Sequence, residues 1–544
     1  MKKTLSFMLA LLLVLAALPF AVAESADDDP YFGKFDEPVV IKVVESSADE
    51  APNWTWEDNE WTREWKERFN IEIELLWNTG TADDYNTKFS IAMLTGELPD
   101  VMTLNSKQFK ELYEKGLLAD ITDVYENNIY PFLMNEIIKA QDESVQEAGV
   151  INGRRYAITT SGLGTVSRTY MIRHDYLEEI GAELPTTLEE LVELGKEFVD
   201  AGLAKYALLL EQKVTGEGYT DMQAVANGYG AYPNIWVRDA EGKLVYSPTT
   251  EGMKKALDLY KELYDGGYIQ PTFATEVGDN VTAYIKNGEI GILPSDYWVA
   301  TWPLPLTDEN GNVIEFDMVP VLPSEENEDF HMQGTGSMAD VSYVCVSAAC
   351  EHPEAVMRIF NHTCSVNSDP ELQDTGRFHT AKLEDGTEIS VHMHNPSPVR
   401  YWTVPNVNTK TGKAVYDALN GDLAALDANP HYQQQYDNVQ KYLAAVEAGD
   451  KDGIRASWAM YKLFGGEGSI YMNFYNAVQD GTFIFDARTS KTEDYERLWG
   501  SLQQLENTFY VNYIAGTEDT TFEEFVEEWY AAGGRLLTDQ LNEE

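Results

Sequence analysis

The chain is poor in cysteine, poor in positive charge and, after its first two dozen residues, without any long apolar run. Each shortage excludes something. The three cysteines, Cys345, Cys350 and Cys364, are an odd and low number, no disulfide framework for an exported domain, and they lack the paired C-x-x-C spacing of a zinc site. They read as small buried thiols, with a bridge within one pair left open. Lys and Arg number 39 against 91 Asp and Glu, a net charge of −52. That excess favours solubility and argues against nucleic acid or an anionic membrane as partner. No stretch beyond residue 23 is long and apolar enough to span a bilayer. Signatures of chemistry are missing as well: no G-x-x-x-x-G-K-[ST], no H-E-x-x-H and no G-x-S-x-G. "GTGS" (334–337) and "GLGT" (162–165) are short glycine turns. His392 and His394 read as exposed histidines rather than a metal pair. "TDENGNV" (307–313) starts like a calcium loop but lacks the later bidentate Glu, so a hairpin turn at Asn310-Gly311 is expected.

What is present begins with an export signal. Lys2 and Lys3 precede an apolar stretch from Leu5 to Ala17, then Pro19 and the small-x-small end Ala21-Val22-Ala23, the pattern of a leader cut after Ala23. No cysteine lies near the cut, so no lipobox is available; the mature chain is expected to be exported, extracellular or associated with the cell surface. The remaining length is too great for one core and implies two or more domains. Residues 24–36 read as a flexible acidic leader. "PVVIKVVES" (38–46) and "IEIELLW" (71–77) read as strands, and "EWTREWKERFN" (60–70) between them as a helix with Trp61, Trp65 and Phe69 on its core face. A further helix, "DDYNTKFSIAMLTG", leads to the strand "DVMTL". This alternation predicts a largely parallel α/β sheet. Thr187 with Glu190, and Thr521 with Glu524, have capping-box spacing. From about 411 onward the pattern is mostly helical.

Aromatic residues are the other abundance: 12 Trp and 31 Tyr. The C–H face of a pyranose is an apolar plate that stacks on a ring, while polar groups satisfy the hydroxyls at its edge. Several aromatics fall in loops after strands, where ligands of open α/β sheets sit. "NWTWEDNEW" offers Trp54 and Trp56. "SDYWVATW" offers Tyr297, Trp298 and Trp302, with Asp296 as a hydroxyl acceptor. "RYWTVPN" offers Tyr401 and Trp402. Trp61, Trp65 and Trp529 have helical spacing and belong to the core. Arg168, after the turn-rich "TTSGLGTVS", has two open readings: a fork onto sugar hydroxyls or a uronate, or ordinary pairing with the abundant acids.

Several phrases in order carry a resemblance: "IAMLTGELPDVMTLNS" (91–106), "GLLADITD" (116–123), "INGRRYAIT" (151–159), "YMIRHDYLEEIGAELPTTLEEL" (170–191), "YIKNGEIGILPSDYW" (284–298), "SAACEHPEAVMRIFNH" (347–362) and "FVEEWYAAGGRLLTDQLNEE" (525–544). From about 38 to 544 the chain resembles the extracellular solute-binding proteins of bacterial ABC importers, the sugar-binding family 1 type, in its large lipoprotein-like branch of Gram-positive bacteria. The resemblance implies a type II, periplasmic-binding-protein-like two-lobed clamp with discontinuous lobes joined by crossing hinge segments. It implies lobe 1 from 37–152 and 316–364, and lobe 2 from 153–315 and 365–544. In that pattern Trp298 stacks on a sugar from the second lobe, Trp54, Trp56 and Asn105 line the rim of the first, and Arg168 sits near the crossover. The implied partners are an oligosaccharide and ABC permease transmembrane subunits, with the chain a monomer, not an enzyme, and carrying no ATPase. "AGLAKYALLL" lacks the acidic calcium insertion of many relatives, so no metal and no cofactor are expected. The competing readings are a secreted glycan-cleaving enzyme, a receptor presenting its ligand to a sensor kinase, and a peptide binder.

Overall fold

The computed structural model describes residues 29–46, 54–80, 82–216, 218–308, 311–383, 386–391, 405–517 and 519–543. The leader signal at 1–23 lies outside them, as do His392, His394, Tyr401 and Trp402.

The first body grows from the strand Val39–Glu45, whose alternation buries Val39, Ile41 and Val43 on one face. It pairs in parallel with Ile71–Asn78. The helix between them starts at Asn59, whose side chain accepts from the backbone N–H of Trp61 (2.9 Å) and Thr62 (3.1 Å). It continues as a π turn to Phe69 and stops at Asn70, in the left-handed region at φ 60°. Trp61, Trp65 and Phe69 are fully buried. Truncating one such ring costs about 3–5 kcal/mol. The Trp65 indole N–H donates to Nδ1 of His362 (3.1 Å), on the helix Pro353–Ser368. Burial lowers the His362 pKa to about 3, so this ring is a neutral acceptor. Within the described part of the segment expected as a flexible leader, Phe32 and Phe35 pack on this core, and Phe35 N–H donates to Phe69 O (3.0 Å).

Beside that pair lies a three-stranded sheet in which Ser342–Val346 is central, antiparallel to Val101–Leu104 on one side and to Ala157–Thr160 on the other. The second body is built on Arg168–Arg173, buried along its whole length and flanked antiparallel by Ile292–Asp296 and Phe316–Pro320. The expectation of a largely parallel sheet is therefore corrected. The central strands reach their sheets from the other body, through crossing segments, instead of returning over a helix. The second core also takes in the C-terminal helices, with Trp236, Tyr246 and Trp529 at its centre; Tyr246 and Trp529 stack at 4.5 Å.

Strand pairing also locates the crossings. Residues 157–160 pair within the first body and 316–320 within the second, one strand away from the boundaries expected at 152/153 and 315/316. Val366 and Phe378 pack in the first core. One crossing runs from Thr160 to Arg168. The other runs from Pro320 through the strand Met332–Ser337 to Ser342. They touch where Gly164 and Thr335 exchange backbone hydrogen bonds, each 3.0 Å. A Cβ on Gly336 (φ +78°) would stand 2.4 Å from Gly162 O, so only glycine allows this approach.

Candidate functional site

The register of these strands sets the site. Leu104 ends its strand opposite Tyr343, and Tyr343 faces Thr159; after the crossing, Arg168 lies opposite Asp296. The carboxyl ends of Val101–Leu104 and Ile292–Asp296 thus both border the gap between the bodies, the position open α/β sheets use for ligands.

On the second body this edge carries an aromatic wall. After Asp296 the chain makes a single 3-10 turn, Tyr297–Ala300. Val299 and Ala300 anchor it in the core, which leaves Trp298 outward and 36% exposed; Trp302 is 67% exposed. Tyr219 meets both. Its ring is 6.0 Å edge-on from Trp298, and its hydroxyl accepts from the Trp302 indole N–H (3.1 Å). Tyr297 turns the other way, half-buried against Tyr471 and Phe474, and burial raises its pKa.

Tyr219 rides on a loop pinned from below. The buried Glu211 carboxylate accepts from the backbone N–H of Tyr219 (2.6 Å) and Thr220 (3.0 Å), and burial raises its pKa against those two bonds. A Cβ on Gly218 (φ +102°) would fall 2.7 Å from that carboxylate. Ser295 donates to Tyr219 O (2.7 Å), tying this loop to the strand that carries Asp296. Arg168 closes the arrangement. Its guanidinium donates to Asp221 (2.6 Å) and also to Asp296. Arg168 is 6% exposed, and through this pairing it holds the Tyr219 loop and the Trp298 turn in one register.

The other residues singled out from sequence separate. Asn105 is exposed and caps the helix Ser106–Glu114; its side chain accepts from Gln108 N–H (2.9 Å), and the Gln108 side chain accepts from Asn105 N–H (3.1 Å). Trp54 and Trp56 correct the expected rim. Both are buried, their rings 5.4 Å apart, in a small core closed by Val391. Trp402 lies outside the described residues. Tyr219 escaped the sequence reading; the available signal was a lone aromatic in the turn-forming "TGEGYTD" (215–221).

Three cavities lie along the crossing segments. A cavity of 490 Å³ is lined by residues 160–166, Thr335, Tyr297, Gln141 and Asp142, and the chain at 405–409. Thr165 Oγ1 donates to Asn406 Oδ1 there (2.9 Å). Two more, of 270 and 320 Å³, share Ser106, Ala339, Val341 and Lys491; Asn105 lines the larger. Among the described residues, no group of three or more His, Cys, Asp and Glu is placed to hold a metal ion. Among them, too, no helix is long and apolar enough to cross a membrane.

Comparison with known proteins bears on this geometry. Residues 53–362, more than half of the chain, match the family described as bacterial extracellular solute-binding protein. Lipoprotein LipO of Bacillus subtilis is 26% identical over 231 residues, 41% of this chain and 43% of that protein. The polygalacturonan/rhamnogalacturonan-binding protein YtcQ of the same organism is 23% identical over 235 residues, 41% of this chain and 44% of that protein. The chain thus matches less than half the length of these curated relatives. Among solved structures, an HMO-binding, ABC-transporter-associated solute-binding protein from Bifidobacterium longum infantis superposes with a TM-score of 0.59 at 13% identity. That match covers 93% of this chain and 98% of the other. The alginate-binding protein AlgQ2 gives 0.53 at 14% identity, with 94% and 98% covered. The two bodies and their crossings are the two-lobed, periplasmic-binding-protein-like fold.

Proposed function

Because the chain belongs to the bacterial extracellular solute-binding protein family, we propose that it is the receptor of an ABC importer, capturing an oligosaccharide between its lobes and delivering it to permease subunits in the membrane. The observation that carries this reading is the aromatic wall. Trp298 and Trp302 stand exposed just beyond the carboxyl end of the flanking strand Ile292–Asp296, held in place by Tyr219. An exposed, rigid pair of indoles costs solubility unless a ligand covers it, and a pyranose face is the apolar plate it fits. The cavity beside Tyr297 adds neutral hydroxyl and amide groups, from Thr160, Ser161, Gln141 and Thr335, suited to sugar hydroxyls.

The mechanism is physical. A ligand touching both lobes binds the closed arrangement better than the open one and shifts the population toward it. The two crossing segments, in contact at Gly164 and Thr335, are the hinge. The exported location follows from the leader pattern at 1–23. The two carboxylates beside the aromatic wall, Asp221 and Asp296, are turned onto Arg168 rather than offered to a ligand, so they are not the acid–base pair that a glycan-cleaving enzyme would need.

Calorimetric titration of the mature chain against oligosaccharides, with product analysis of each mixture, tests the reading. One-to-one binding with the ligand recovered intact supports a receptor. Shortened products would make it an enzyme, and binding of peptides with no sugar bound would replace the ligand class.

A further inference from the structure

We propose that the gap selects neutral oligosaccharides and rejects those bearing uronate carboxylates. The inference rests on the reading of the gap as a sugar site and goes further by naming the charge of its ligand. Two relatives point the other way, one described as polygalacturonan/rhamnogalacturonan-binding and one as alginate-binding, so the inference rests on this chain's own residues.

Recognition of a uronate requires a cation free to donate to it, usually an arginine fork or a lysine. Among the described residues, the cations near this gap are each paired with a carboxylate. Arg168, behind the aromatic wall, lies between Asp221 and Asp296 with its side chain only 7% exposed. Lys491 is the sole cation among the residues lining the three cavities, and it pairs with Asp340. Arg488, next to it, is buried on Asp486 and stands 3.7 Å from the same Asp340. Two further carboxylates, Asp142 and Glu496, line the cavities. The local balance is negative before any ligand arrives, and the whole chain carries −52. A uronate entering here meets these carboxylates, while each of the described cations near it already holds a carboxylate and Arg168 and Arg488 are buried beneath the surface. A neutral pyranose meets none of this: it needs ring faces and hydroxyl partners, which the wall and the cavity supply.

The test uses a matched pair. The neutral oligosaccharide that binds the mature chain in calorimetry is oxidised at C6 to its uronate, which keeps stereochemistry and linkage, and the uronate is then methyl-esterified to remove its charge at nearly the same size. The uronate is expected to bind roughly 100-fold more weakly than the neutral parent at low salt. The ester should recover most of the loss, and raising the salt should narrow the gap between acid and parent, because repulsion is screened and a steric clash is not. Equal or tighter binding of the uronate overturns the proposal and leaves the sugar site standing. So does a loss that the ester does not restore. Failure of every neutral and acidic sugar to bind overturns the proposal together with the site.

Discussion

Two loops of this chain are nearly the same in composition and opposite in fate. One, after the strand Val39–Glu45, carries Trp54 and Trp56 and runs into the helix that bears Trp61; the other, after Ile292–Asp296, carries Tyr297, Trp298 and Trp302. On the first side all three tryptophans are buried. Asn59 turns the chain there and caps the helix that drives Trp61 inward, while Trp54 and Trp56 are roofed by Val391, Ala381 and Ile389. In the second loop Val299 and Ala300 take the inward positions and nothing among the described residues roofs Trp302. The difference is not in the aromatics. It lies in which small residues alternate with them and in what distant chain folds back over them. An exposed indole is informative only when its neighbours already hold the turn in place.

Breaking the comparison starts with its buried side. Trp56→Ala should cost about 3–5 kcal/mol of stability, read as a lowered thermal midpoint, because it opens a cavity in a closed core. Ligand affinity of the folded protein should stay within about threefold. A stable variant with lost affinity would put Trp56 in the cleft and dissolve the contrast. Next comes Arg168→Met, which leaves Asp221 and Asp296 without their shared partner and should destabilise the second lobe by about 3 kcal/mol. It should also raise acrylamide quenching of tryptophan fluorescence as the Tyr219 loop and the Trp298 turn lose register. Unchanged stability and quenching would mean that Arg168 organises nothing.

A third change touches the core of the same lobe but not the wall. Burial pushes the Glu506 carboxyl up to about 8. The folded protein therefore keeps a proton that the unfolded chain releases above about 4.5, so this group lowers stability as pH rises from that point toward 8, with no further change above it. The slope from this group is at most about 1.4 kcal/mol per pH unit. Glu506→Gln should flatten the dependence between those limits and leave sugar affinity unchanged; an unaltered pH profile contradicts it. The smallest effect belongs to Trp302→Ala. It removes the partner of the Tyr219 hydroxyl at an exposed position, and should weaken binding by about 1 kcal/mol with no change in thermal midpoint.

What could be read from the sequence follows the range of the interactions. The strands at 39–45 and 71–78 and the caps at Thr187 and Thr521 rest on neighbours within a few residues, and the patterns that predict them are local. The Thr521 cap is a full box with Glu524, whereas the Glu190 carboxylate reaches Thr186 instead of closing back on Thr187. The place of Trp298 just beyond the strand Ile292–Asp296 was legible for the same reason, because the strand before it is a local pattern. The burial of Trp54 and Trp56 was not, since their roof comes from residues more than 300 positions away. Nor was the role of Arg168, whose two carboxylates lie 53 and 128 residues downstream in a chain where acids are everywhere. The antiparallel centre of each sheet was hidden because the strands that form it belong, by sequence neighbourhood, to the other lobe.

The most direct test of the account is Trp298→Ala, measured by calorimetric titration with the bound oligosaccharide and by thermal unfolding of the same preparation. The aromatic-wall account predicts an affinity loss of about 2 kcal/mol or more, roughly 30-fold, at an unchanged unfolding midpoint. Unchanged affinity would contradict it, and would place the ligand away from the wall that Tyr219, Trp298 and Trp302 build.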